Sequence, residues 1–172
     1  MGRTDLALII ETCRESVMSD RLTLISGKES LVLDPTDGLE TLAGATDVFR
    51  YIDSNFEHWS CDVAGPPTRE APVQVYEMVR DSTFREMFGF GVPLDRLALT
   101  QAQIKQFVKH YPDWLKEGGN GTFFLFKVGN EFFVAAVYLF SDGRLGARVR
   151  HLNLERLFRA TKRHRLVVPY QV

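Results

Sequence analysis

The chain has 172 residues, 45% of them hydrophobic and 25% charged, and its net charge is −1. That length is typical of one domain with a core that stands without staples, and that composition excludes a disordered chain. A pI of about 6.4 is unlike that of a dedicated nucleic-acid binder.

In chain order, residues 5–18 place Leu6, Ile9, Ile10, Cys13 and Val17 at helical spacing behind Thr4 as N-cap. Leu22 to Ser26 and Ser30 to Leu33 flank Gly27-Lys28-Glu29 and read as a short hairpin, stopped by the turn residues Asp34-Pro35-Thr36-Asp37-Gly38. The spacing of Val48, Phe49, Ile52 and Phe56 predicts a helix over 45–58. Residues 64–72, with Gly65-Pro66-Pro67-Thr68 and Pro72, form the clearest loop and the one candidate internal boundary of a single domain 1–172. Residues 73–79 fit strand or helix equally. Asp81 or Ser82 is placed to cap a short helix carrying Phe84, Met87 and Phe88.

Thr100-Gln101-Ala102-Gln103 is a capping box that opens a helix burying Ile104, Phe107, Val108 and Tyr111 and ending near Pro112. Six of the thirteen phenylalanines fall between Phe123 and Phe140, which marks the centre of the core. There Thr122 to Val128, Glu131 to Phe140 and Arg144 to Leu152 predict a three-stranded meander joined by Gly129-Asn130 and Ser141-Asp142-Gly143. The first two strands are apolar on both faces, whereas the third alternates, with Arg144, Arg148 and Arg150 opposite Leu145, Ala147 and Val149. Arg165 to Val168 adds a strand ended by Pro169. The fold class these elements predict is α+β, with N-terminal helices packed on a mostly antiparallel C-terminal β-meander.

Two stretches, Leu97 to Ile104 continuing to Trp114-Leu115, and Gly121 to Lys127 running through Phe132-Phe133-Val134-Ala135 to Arg163-His164-Arg165-Leu166-Val167-Val168-Pro169, carry a family resemblance. They are similar to small bacterial proteins of the kind found in candidate-phyla genomes, a family without an assigned activity. The resemblance implies a bacterial cytosolic protein and supplies no catalytic residues.

Compartment follows independently from composition. Cys13 and Cys61 give no disulfide framework, which fits a reducing, cytoplasmic setting. The N-terminus lacks a signal peptide's apolar run, and the longest apolar run, Phe132 to Phe140, is nine residues against the ~20 a membrane helix needs.

Chemistry is sparse. His58-Trp59-Ser60-Cys61 is a single His-x-x-Cys without a second pair, and Asp34 to Gly38 lacks the spaced acids of a calcium loop, so no metal and no cofactor is expected. No phosphate-binding glycine loop and no nucleophile elbow is present. Histidine titrates near neutral pH, so His151 and His164 are the candidate catalytic pair, which with neighbouring arginines would suit metal-independent RNA cleavage.

The binding candidates come from charge. Residues 141–172 hold eight Lys or Arg and two acids, while the rest of the chain is acidic. Arg144, Arg148, Arg150, Arg163 and Arg165 therefore face either an external polyanion, meaning nucleic acid or an acidic protein, or acids of the N-terminal half such as Glu40, Asp47, Glu57 and Asp62. Tyr138 and Phe140, with Phe158 and Tyr170, are the aromatics that could stack beside them. Without a catalytic constellation, the expected function is a non-enzymatic binding or regulatory protein. A small RNase-like hydrolase and a nucleic-acid binder on the arginine-rich sheet are the alternatives.

Overall fold

The computed structural model describes residues 20–27 and 31–171. The helix expected over 5–18, with Cys13, lies outside them, as do Lys28 and Glu29. The described chain builds an eight-stranded mixed sheet from β1 (Leu22–Leu24), β2 (Leu31–Leu33), β3 (Tyr51–Ile52), β4 (Ala71–Met78), β5 (Gly121–Val128), β6 (Glu131–Leu139), β7 (Leu145–His151) and β8 (Arg165–Pro169). The strands lie in the order β1-β4-β8-β5-β6-β7-β3, with β2 also on β4. Three α-helical segments accompany it: α1 (Asn55–His58), α2 (Phe84–Met87) and α3 (Gln101–His110). Among the described residues only α3 is an α-helix of more than four residues.

This overturns the expected architecture of N-terminal helices on a C-terminal meander. The meander is present, and Phe124 pairs with Ala135 and Ala135 with Val149. It forms the centre of a larger sheet, flanked on one side by C-terminal β8 and the earlier strands β4, β1 and β2, and on the other by β3. Strand β8 inserts between β4, which it meets antiparallel, and β5, which it meets parallel. Such pairings close over long sequence distances and leave no local pattern to read.

Two local expectations fail for the same reason. Strands β1 and β2 do not form a hairpin; both run antiparallel to β4, with Leu24 opposite Tyr76 and Leu31 opposite Val73. The Ser26 hydroxyl bridges the gap by accepting the Val75 N–H at 3.1 Å. The helix expected over 45–58 is replaced by turns, β3 and the four-residue α1. Here the free edge of β7 competes with local helix: Arg50 N–H donates to Leu145 O at 2.8 Å and Asp53 N–H to Ala147 O at 2.9 Å. The Asp53 carboxylate then accepts the Asn55 N–H at 3.0 Å, a side-chain bond that favours a turn over a continuous helix.

The capping box at Thr100 behaves as its residues dictate. Gln103 N–H donates to Thr100 Oγ1 at 3.2 Å and Thr100 N–H to Gln103 Oε1 at 2.9 Å. The short helix before it is capped by Thr83 with Glu86, one residue after Ser82. The turn at Asp37-Gly38 tolerates only glycine, because Gly38 has φ 78° and a Cβ there would lie 2.2 Å from Pro66 O.

The sheet separates two cores. Phe124, Phe126, Phe133, Val137, Val149 and Val167 face the first, beneath α3 and the segment carrying Leu42, Phe49 and Phe56. Phe123, Leu125, Val134, Ala136, Leu166 and Val168 face the second, beneath α2 and the β7–β8 connection with Leu152 and Phe158. The chain passes from the second face to the first beside β5, where Leu99 N–H donates to Leu125 O at 2.8 Å. Among the described residues no helix is long and apolar enough to cross a membrane.

Candidate functional site

The second face is not covered across its whole width. No β7 residue belongs to the second core, and the residues β7 presents there are Gly146, Arg148 and Arg150. Beside them lie Tyr138 and Phe140 from β6 and its following turn, and Tyr51 from β3, which pairs with Gly146. Together with Asp53 and Asn55 they line a cleft of about 720 Å³, within the usual ~300–1,000 Å³ range of small-ligand sites.

Each wall has a local cause. Gly146 forms the floor because a Cβ there would approach Phe140 Cε2 to 3.2 Å and Tyr51 Cβ to 3.6 Å. Without that Cβ, Tyr51 and Phe140 meet edge to face with centroids 5.8 Å apart. Alternation along β7 places Arg148 and Arg150 on the same face, and the Arg148 guanidinium lies 5.3 Å from the centroid of Tyr138. Arg50 lies 6.0 Å from the Tyr51 ring.

The charges divide into held and unheld groups. Asp53, mostly buried, accepts from Val149 N–H at 3.3 Å and faces Arg150 Nη1 at 3.5 Å, so it closes the end of β3 and steadies Arg150. Arg144 pairs with Asp142 at 3.4 Å in the β6–β7 turn. Arg148 is exposed and, among the described residues, has no carboxylate within 4.0 Å. Two guanidiniums, of Arg148 and Arg150, thus line the cleft with the two carboxylates of Asp53 and Asp142, while Arg50 and Arg144 line a neighbouring pocket with Val48, Phe49 and Leu145.

The five arginines expected to act together are split. Arg165 lies on the other side of the sheet, its Nε 3.4 Å from Glu77 and its Nη1 donating to Trp114 O at 2.9 Å. Arg163, with φ 47°, reaches the same Glu77 at 4.0 Å. Arg159 pairs with Asp81 at 2.8 Å. Much of the charge asymmetry therefore closes internally, through Asp53, Glu77 and Asp81. Of the acids expected to pair with the arginines, Glu40 and Asp47 instead hold Lys105, at 2.6 and 3.1 Å.

The two histidines are not brought together. His164 is buried, stacks on Phe123 at 5.0 Å, and sits with Nδ1 2.9 Å from Gly121 N and 3.3 Å from Gly121 O. The shorter contact makes Nδ1 an acceptor on the neutral ring. Burial holds its pKa below the usual histidine value, with Arg156, Lys116 and Lys162 adding repulsion and the Gly121 carbonyl opposing. His151 is exposed, on the first face, stacked on Trp59 at 4.2 Å. It pairs with Phe133, which pairs with Phe126, so it lies five positions along β5 from Gly121, on the order of 17 Å at strand rise.

His58 is exposed and Cys61 is buried, its thiol donating to Trp59 O at 3.7 Å. Burial, with the Glu131 charge, pushes that thiol up to about 11, so it is no nucleophile at neutral pH. Phe158 is buried in the second core, and Tyr170 follows β8, outside the cleft lining.

Tyr138 and Phe140 were legible beside the arginines; Tyr51, Asp53 and Asn55 were not, because the helical reading of 45–58 hid them. The usable signal was Gly146 within an otherwise continuous strand, which marks a close approach by a neighbour. No family model, no characterised protein and no solved structure matches the chain. Its function rests on its own geometry.

Proposed function

We propose that the protein is a non-enzymatic binding protein of the cytosol, and that the cleft between β3, β6 and β7 takes an anionic ligand with a planar face. The observation that carries this reading is Arg148, an exposed guanidinium free of any described carboxylate, set over Tyr138 in a cleft with two further rings. A planar group stacks on aromatic faces, and a guanidinium offers a fork of donors to phosphate or carboxylate. The separation of His151 from His164 and the unreactive state of Cys61 favour binding over catalysis. The cytosolic assignment rests on composition, which contains only two cysteines.

The test is a titration of isotopically labelled protein with adenosine monophosphate and with a short oligouridylate, followed by amide shifts. At least one probe is expected to shift Tyr51, Gly146 and Arg148, and Arg148→Ser is expected to remove the effect. Shifts centred elsewhere, or unchanged in the variant, would overturn the assignment.

A further inference from the structure

Three features of the cleft point to a polymeric ligand, an inference that rests on the reading above. First, there is more than one stacking surface. Tyr51 is 54% exposed, and Tyr138 and Phe140 are half-buried beside it. A single planar ligand uses one such platform, whereas successive bases of a strand use several.

Second, the cations are spread rather than convergent. Arg148 and Arg150 stand two residues apart on one strand face, so their Cα atoms are about 7 Å apart. Arg144, paired with Asp142, and Arg50, 6.0 Å from the Tyr51 ring, lie just outside the cleft in a neighbouring pocket. A site for a lone phosphate cluster gathers backbone amides around one point. Here the amide of lining residue Asn55 is already taken by the Asp53 carboxylate at 3.0 Å, whose charge opposes a phosphate at that spot.

Third, the site lies where the second core stops. The segments that cover this face, around α2 and between β7 and β8, contribute none of the cleft's lining residues. The rings are therefore reached along the open margin of the sheet.

We infer that the cleft is a track for single-stranded nucleic acid, with bases stacked on Tyr138 and Tyr51 and phosphates along Arg148 and Arg150. A duplex keeps its base faces stacked on each other and cannot offer them to these rings. The shared chemistry is a base with a phosphodiester, so RNA and DNA strands both fit.

Fluorescence anisotropy of labelled oligouridylate and oligothymidylate tests this, with uridine monophosphate, inorganic phosphate and a duplex of matched length as competitors. At least one single strand is expected to bind, more weakly as salt rises, with Arg148→Ser lowering the salt slope by about 0.7. Tyr138→Ala and the exposed-site variant Tyr51→Ala are each expected to weaken binding about fivefold or more. The monophosphate is expected to compete only at roughly a hundredfold higher concentration, because it lacks linked contacts. Competition by the monophosphate at equal concentration would overturn the track while leaving the cleft an anion site. Equal competition by the duplex, or binding indifferent to both tyrosine changes, would overturn the stacking. Binding of no probe at all would overturn both this inference and the reading beneath it.

Discussion

The two faces of the one sheet are finished differently. Over the first face, α3 and the segment from Leu42 to Phe56 reach from β2 to β7, and Val149 and Ala147 of β7 are buried there. Over the second face, cover reaches β6 and stops, and the same strand presents Gly146, Arg148 and Arg150 to an open cleft. A side-chain period of two lets one strand close a core and line a site at once. The same contrast holds among the arginines. Arg165 is half-buried and engaged with Glu77 and the Trp114 carbonyl, whereas Arg148 is exposed and rests on a ring.

The largest effect expected of this division is on the closed face. Phe133 is buried between Phe126 and the His151 ring, so Phe133→Ala should cost about 3–5 kcal/mol in chemical denaturation. A midpoint unchanged by that substitution would mean that the first face is not a packed core.

His164 offers the next handle, on the covered part of the second face. Its folded-state pKa lies below the ordinary value of 6.5, so the unfolded chain takes up a proton first. Stability from this group is therefore complete above about pH 6.5 and declines as pH falls through and below that value. His164→Leu should remove that decline, measured as melting temperature against pH. It should also cost about 1–3 kcal/mol, because it leaves the buried Gly121 N–H without its acceptor. A wild-type profile flat across this window would show that the ring is not held neutral by burial.

How far the residues alone reach follows the same division. The meander was legible because its alternation and its Gly-Asn and Asp-Gly turns are local, and α3 because Thr100 and Gln103 form a local box. The place of β4 and β8 was not, since each strand's partners lie far away in sequence and β4 has no clean period. At the site, Arg148 and Tyr138 could be set side by side from the strand pattern. Tyr51 could not, because Phe49, Ile52 and Phe56 imitate helical spacing while Arg50 and Asp53 spend their amides on the edge of β7. Nor did the pattern separate Arg165 from Arg148, because each is an arginine on a strand of the basic C-terminal segment.

The central claim, that Arg148 is kept free for a ligand while Arg165 serves the fold, is tested most directly by one paired measurement. Melting temperature and oligouridylate affinity are compared for the wild type, Arg165→Ser and Arg148→Ser. Arg165→Ser should lower stability by about 1 kcal/mol through its lost hydrogen bonds and leave affinity at the wild-type value. Arg148→Ser should change stability by less than about 0.5 kcal/mol and remove most of the binding. Destabilisation by Arg148→Ser with affinity intact, or equal loss of binding in both variants, would contradict the account.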